Sequence, residues 1–240
     1  MIRLFVSSLG RPRFHLGLAL LVMATVTISL TIFRSRPAPA QPMEGPLRDP
    51  VAAVAAALRI SVMIEGDGVY GAGIFLDPAR GIVLTNQHVV QDMHTPRVTA
   101  YDGRTAIAAI IAIDAPRDLA VLSVPDLKSP DLAPPRLGDA MHLQPGEEVY
   151  AVGMPRKLPF TVSRGIVSFV GRPVEGERYL QLDMNINDGN SGGPVVAPNG
   201  DVVGVMSFIY RRAQGLSFAL PTSEIARAFP NRVPVIAPKL

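Results

Sequence analysis

The sequence predicts an all-β fold: two six-stranded antiparallel β-barrels with a short N-terminal helix, a C-terminal helix and an N-terminal transmembrane helix. Three observations carry that expectation. Runs of about four to eight apolar and β-branched residues recur between residues 60 and 220, too short for helices and bounded by Gly, Asp, Asn and Pro. A proline-rich break at 125–138 divides these runs into two sets. Residues 14–33 form a separate apolar stretch with no Asp, Glu, Lys or Arg, and about 20 residues of helix span a bilayer core.

Composition narrows the class. With 240 residues, 48% of them hydrophobic, the chain can bury a real core. Its net charge of +3 is misleading, because residues 1–36 hold five Arg and no acid; the rest carries 18 basic against 20 acidic groups, a net of −2. No basic stripe interleaved with aromatics is present, so nucleic acid is not expected as a partner. The absence of cysteine excludes disulfides, thiolate metal sites and a cysteine nucleophile, without fixing the compartment. Arg3, Arg11 and Arg13 precede the apolar stretch, which by the positive-inside rule places the N-terminus in the cytoplasm and the bulk of the chain across the membrane. Two outcomes stay open there. An uncleaved single-pass anchor is favoured, because the apolar run is long and Arg34 and Arg36 follow it; cleavage after Ala38-Pro39-Ala40 would instead release a soluble periplasmic or secreted protein.

The domains expected are therefore the cytoplasmic N-terminus with its anchor (1–36), a linker with five prolines (37–50), a first barrel (51–124), a connector (125–138) and a second barrel with the closing helix (139–240). Asp49-Pro50 offers an acidic N-cap with Pro at the first helical position for an alanine-rich helix from Val51 to Leu58. Strands are expected at 60–64, 71–76, 81–85, 97–101, 106–113 and 119–124, then at 148–152, 161–170, 179–182, 194–196, 202–209 and 216–220. Asp102-Gly103 and Asn199-Gly200 supply turns. Residues 221–229 read as the last helix, stopped by Pro230.

The chemistry starts from Asp188-Gly189-Asn190-Ser191-Gly192-Gly193-Pro194, a serine among glycines between two apolar runs. Glycines let the backbone adopt positive φ and let another chain approach, so that neighbouring N–H groups can converge on one spot. Read alone, this is as well a surface turn. A calcium loop beginning at Asp183-x-Asn185-x-Asn187 fails, since the glycine falls one place late and Pro194 stands where Glu is needed. No metal or cofactor is expected. A nucleophilic serine requires a base and an orienting carboxylate. His88 directly follows the apolar run Ile82–Thr85, which would present its ring from a rigid strand end, whereas His94 and His142 stand in polar loops. Asp118 heads the apolar run Leu119–Leu122, where a carboxylate is costly unless it accepts hydrogen bonds. Asp114 is its rival, though its place before Ala115-Pro116 suits an ordinary turn.

Gly71-Ala72-Gly73-Ile74, Gly81 through Val90, Asp118-Leu119-Ala120-Val121-Leu122 and Gly189 through Pro194 stand in this order in one chain. With these motifs, residues 60–225 resemble the HtrA/Deg family of serine proteases, which are chymotrypsin-like in fold; the order His88, Asp118, Ser191 is that of such two-barrel enzymes. The resemblance implies His88 as the base, Asp118 as its orienter and Ser191 as the nucleophile, with Gly189, Asn190 and Ser191 forming the oxyanion loop. It also implies a pocket for the residue before the scissile bond between Asn185, Ile186 and Asn187 on one side and Ser217, Phe218 and Ala219 on the other. A neutral Asn185 and the bulk of Ile186 and Phe218 favour small aliphatic side chains there. Family members usually carry C-terminal PDZ domains; about 20 residues after the last strand leave no room for one, so none is expected. A homotrimer is implied by the resemblance alone.

Two functions of different classes follow. The first is a membrane-anchored endopeptidase acting on unfolded or exposed protein segments in quality control or stress response; the second is a non-catalytic, chaperone-like scaffold. The intact set of catalytic residue types favours the first.

Overall fold

The computed structural model describes residues 49–209 and 215–229; the expected anchor at residues 14–33 and the linker up to residue 48 lie outside the described residues. Among those described, no helix is long and apolar enough to cross a membrane.

Helix α1 (Pro50–Ile60) begins as the sequence dictates: the Asp49 carboxylate accepts the N–H groups of Val51 and Ala52 at 3.0 and 3.2 Å, and Pro50 needs no partner for its nitrogen. It buries Ala53, Ala57 and Ile60 and hands the chain to β1 (Ser61–Gly66). Strands β2 (Val69–Asp77), β3 (Ile82–Asn86), β4 (Arg97–Ala100), β5 (Thr105–Ile107), β6 (Ala109–Asp114) and β7 (Leu119–Ser123) complete a seven-stranded sheet in the order β5-β4-β1-β2-β3-β7-β6.

This sheet is not the closed six-stranded barrel expected. The run 106–113 read as one strand is broken at Ala108 into β5 and β6, which lie at opposite edges. Ala108 is buried, and its N–H donates to the Pro96 carbonyl at 2.8 Å, so the chain turns a corner there. The two edges are thus joined by one covalent link where a full barrel has a hydrogen-bond ladder. A strand cannot pair with its own continuation, and a periodicity argument that sees apolar residues on both sides of Ala108 cannot register the corner.

The second set does close. Strands β8 (Glu148–Gly153), β9 (Thr161–Val174), β10 (Glu177–Leu182), β11 (Pro194–Val196), β12 (Val202–Ile209) and β13 (Ser217–Pro221) form a barrel in the order β10-β13-β12-β11-β8-β9. Helix α2 (Gln87–Val90) is a single turn after β3, and α3 (Thr222–Ala228) follows β13, with the Thr222 hydroxyl donating to the Gly138 carbonyl at 2.6 Å. The connector is tacked down as well: Gly138 N–H donates to Val202 O at 2.8 Å and Val202 N–H to Arg136 O at 2.9 Å.

Three apolar clusters follow from period-2 patterning. Phe75, Val83, Val98 and Leu122 fill the concave side of the first sheet, and Val149, Leu180, Leu182 and Val195 fill the barrel. Alternate residues of the same strands, Ile74, Leu76, Leu84 and Val121, meet Val152, Val205, Phe218 and Leu220 between the two. Strands β3 and β7 are therefore covered on both faces, which is why they read as continuous apolar runs. Leu84, fully buried in this shared layer, should destabilise the chain by about 2–5 kcal/mol when changed to Ala. Ile113, half exposed on the β6 edge, should change stability by less than about 0.5 kcal/mol on the same substitution. Urea unfolding of the two variants checks the contrast.

Candidate active site

The antiparallel register of β3 and β7 sets Asn86 opposite Leu119. The residues just beyond, His88 on α2 and Asp118 before β7, are brought together by that register alone. The Asp118 carboxylate takes two hydrogen bonds from one residue: from the His88 N–H at 2.9 Å and from ring Nδ1 at 2.6 Å. Its carbonyl accepts from Gln87 N–H at 3.0 Å and from Asn86 Nδ2 at 2.8 Å, and its own N–H donates to Ala115 O at 3.1 Å. These bonds hold Asp118 at φ = +52°, in the left-handed region that aspartate tolerates better than most residues. A proton on Nδ1 satisfies the short bond and leaves Nε2 as a free acceptor. The ring is 43% exposed against 29% for the carboxylate, so the pair opens to solvent on the histidine side. Asp114 sits in the preceding turn, accepting from Arg117 N–H and Nη1, and among the described residues no hydrogen bond joins it to the imidazole.

Ser191 comes from the barrel, on the loop between β10 and β11. Gly189 and Gly192 have φ of +101° and +85°, and a Cβ on Gly192 would collide with the Ala72 carbonyl and the Thr85 hydroxyl. The Ser191 carbonyl accepts from Ala72 N–H of β2 at 2.8 Å, which fixes the loop against the first sheet. Its hydroxyl donates to the Ser207 carbonyl at 3.3 Å. Among the described residues no hydrogen bond joins Ser191 Oγ to His88, although both line one cleft of about 250 Å³ with Ile186, Asn187, Asp188, Met206, Ser207 and Phe208. Such bonds are often long or absent before substrate enters.

Within the loop, the N–H groups of Asn190, Gly192 and Gly193 are committed to the carbonyls of Asn187, Met206 and Asn190 at 3.2, 2.8 and 3.1 Å. Those of Gly189 and Ser191 have no partner among the described residues. Asn190 thus cannot serve as an oxyanion donor. Its side chain is buried, donates to Asn187 O at 3.2 Å and fills the space where Gly153 lacks a Cβ, so it braces the loop from below.

The expected pocket is only partly assembled. Ile186 and Asn187 line the cleft, but Asn185 is exposed outside it. Ser217, Phe218 and Ala219 are buried within the barrel, one strand behind the wall. The wall is instead Met206-Ser207-Phe208 of β12, with Phe208 stacked on Phe218 at 4.8 Å. A register shift between Met206 and Phe208 leaves Ser207 as an extra residue, and this bulge is what frees its carbonyl for Ser191. The apolar run 202–209 gives no sign of a bulge, so residues 206–208 could not be singled out from sequence.

Tyr179 of β10 borders this region; the phenol is held above the ordinary value of 10.0 by burial first, then by the negative charges of Asp118, Glu177 and Glu175, against a hydrogen bond from Ser207. Tyr150 is raised likewise, by burial and then by its hydrogen bond to Glu148.

A sheet carrying a histidine–carboxylate pair, packed on a barrel carrying a glycine-bracketed serine, is the architecture of the chymotrypsin-like class. The comparisons agree and go further. The profile of the family described as trypsin-like peptidase domain matches residues 71–205, and the chain belongs to that family. A putative serine protease, HhoB, from Synechocystis sp. is 40% identical over 158 residues, covering 63% of this chain and 37% of that protein. A probable periplasmic serine endoprotease, DegP-like, from Marinomonas sp. is 39% identical over 158 residues, 63% and 33% of the two chains. Among solved structures, the HtrA-type protease AlgW with tripeptide superposes with a TM-score of 0.69 at 30% identity, covering 78% of this chain and 64% of that one. The chain spans about a third of the length of these curated relatives.

The tyrosines give a pH prediction. A raised phenol stabilises the fold fully below its unfolded value and loses that contribution as pH rises through the folded one, so stability should fall above about pH 10. Phenolate absorbance should show two late-titrating tyrosines, and Tyr179→Phe should remove one of them and flatten the alkaline loss of stability.

Proposed function

We propose that the chain is a serine endopeptidase that hydrolyses unfolded or exposed polypeptide through an acyl-enzyme on Ser191. The observation that carries this reading is the His88–Asp118 pair at 2.6 Å sharing a cleft with a serine flanked by two unpaired N–H groups. The serine hydroxyl turns from the Ser207 carbonyl toward His88 Nε2 as a peptide fills the cleft, and Nε2 takes its proton while Oγ attacks the scissile carbonyl. Asp118 holds the proton on Nδ1 and stabilises the imidazolium that forms. The oxyanion would lie against the N–H groups of Gly189 and Ser191, the two in the loop that are not committed to carbonyls among the described residues. His88 then protonates the leaving amine, and water repeats the sequence to release the acyl group. The relatives described as periplasmic support an extracytoplasmic protease domain. Tethering by residues 14–33, a role in quality control and a homotrimer belong to the same proposal.

The cleft also suggests its preference. Ile186, Met206 and Phe208 supply apolar walls, and among the described lining residues the one carboxylate, Asp188, is solvent-exposed. A lysine or arginine driven into such a wall would leave its charge poorly paired, at a cost of several kcal/mol, whereas one methylene more or less in an apolar pocket discriminates by about 1–3 kcal/mol. Cleavage after Val, Ala, Ile and Leu should therefore be graded, with Lys, Arg and large aromatics poorest.

Two measurements test the proposal. Residues 41–240 should degrade casein and react with a fluorophosphonate. Ser191→Ala should abolish both without lowering the melting temperature, and Asp118→Asn should cost on the order of 10⁴ in kcat, while Asp114→Asn should leave the rate nearly intact. Equal turnover by Ser191→Ala would sink the assignment. Mass-spectrometric mapping of cut sites in an unfolded substrate tests the preference, and a majority of cuts after Lys, Arg, Phe or Tyr would contradict it.

A further inference from the structure

The side chain of Arg117 joins the turn that delivers Asp118 to the other half of the molecule. Arg117 donates from its backbone N–H and from Nη1 to the Asp114 carboxylate, at 3.0 and 3.1 Å, so it belongs to the turn Asp114–Asp118. Its Nε also donates at 3.0 Å to Glu224 of α3, and Nη2 lies 3.9 Å from Glu177 of β10. Glu224 is only 7% exposed on its side chain and is shared with Arg227 at 3.0 Å. Two of the carboxylates facing the Arg117 guanidinium thus come from the barrel half and one from its own turn. A buried carboxylate such as Glu224 is tolerable only with charged, hydrogen-bonded partners, and a guanidinium fork is the donor geometry that can satisfy two carboxylates at once.

The location gives this cross-link its consequence. Asp118 is the next residue, held in the left-handed region at φ = +52°. A non-glycine residue kept there costs of order 1 kcal/mol or more and persists only where its surroundings over-determine it. From the Asp118 side the conformation is fixed by its bonds to Ala115, Asn86, Gln87 and His88. From the Arg117 side it is held by the bonds to Asp114 within the turn and by the cross-link to Glu224, and the cross-link also ties the turn to the barrel that carries Ser191.

We propose that Arg117, through Glu224, is a positioning residue for Asp118: it locks the acid-bearing turn of the first sheet to the C-terminal helix of the barrel and so holds the His88–Asp118 pair in register with Ser191. This rests on the endopeptidase reading for its effect on rate, but the geometric role can be read independently of any rate. Misplacement of a reacting group by about 1 Å costs on the order of 10²-fold, and the turn would relax by a fraction of that. Without the cross-link, kcat should fall by roughly 10- to 100-fold. KM should hold, because the cleft walls 186–188 and 206–208 are untouched.

The test uses Arg117→Gln, Glu224→Gln and the double variant of the full chain, compared with wild type by peptide kinetics and by the far-downfield proton NMR signal of the His88 Nδ1–H, identified by its loss in His88→Ala. Each single variant should lower kcat at constant KM and shift or broaden the signal, and the double variant should be no worse than Arg117→Gln, because the pair acts as one device. Should Arg117→Gln fail to fold, Glu224→Gln, which keeps the turn's own Asp114–Arg117 bonds, gives the same two readouts. Folded variants with wild-type kcat and an unmoved signal overturn the proposal. So do effects that simply add in the double variant. A wild-type chain that cleaves nothing, yet whose signal responds to both substitutions, would instead remove the endopeptidase reading and leave the positioning role standing.

Discussion

One hydrogen bond, from the Ala72 N–H of β2 to the Ser191 carbonyl at 2.8 Å, is the point on which the arrangement of the two halves turns. It requires two backbones to lie in contact, and the neighbouring residues show what that demands. A Cβ on Gly71 would press on Val89 and on the Ser191 carbonyl, and one on Gly193 would run into Val152 O. Thr85 completes the junction by donating its hydroxyl to the Ala72 carbonyl at 2.7 Å. Side chains at these positions would push the serine loop away from the sheet that carries His88. The apolar layer of Ile74, Leu84, Val152 and Val205 supplies the adhesion between the halves, while the glycine contacts set how close they come.

That division of labour explains why so much of the site could be read from the chain. Glycines forced by close approach, a histidine just past a fully buried strand and an aspartate just ahead of another are local signals. The pairing of Asn86 with Leu119 converts two of them into a contact. That Asp118 and not Asp114 would meet His88 was legible for the same reason, since the apolar run following Asp118 marks a strand end. What was not legible depends on register or on long-range pairing. The bulge at Ser207 moves the cleft wall from β13 to β12, and the corner at Ala108 keeps the first sheet open. The commitment of the Asn190 N–H to Asn187 changes which donors of the loop are left without a carbonyl partner among the described residues. None of these alters hydrophobic periodicity, the main signal a single sequence offers.

Charge follows a similar logic on a longer scale. Arg117, Glu177 and Glu224 stand far apart in sequence and lie in stretches that read as an ordinary turn, a strand start and a helix. Their meeting is a property of how α3 packs back across the molecule after β13. The same negative surroundings reach Tyr179, whose phenol feels Asp118 and Glu177 together. Tyr179 is therefore raised by burial first and by carboxylates from both halves of the molecule.

The unequal closure of the two halves has a kinetic side. A barrel without edges has no strand that can peel away, so its amide protons should exchange only through large openings. The first sheet ends in two edge strands, β5 with three residues and β6 with six, and opening can begin at an edge more readily than within a closed barrel. Ser191 is mounted on the half that resists opening, whereas His88 and Asp118 are mounted on the half that does not. Under mild heat or denaturant the molecule should thus pass through a state in which the barrel and the Ser191 loop are intact while His88 and Asp118 have already moved away from them, so that the two halves of the cleft part well before the chain unravels.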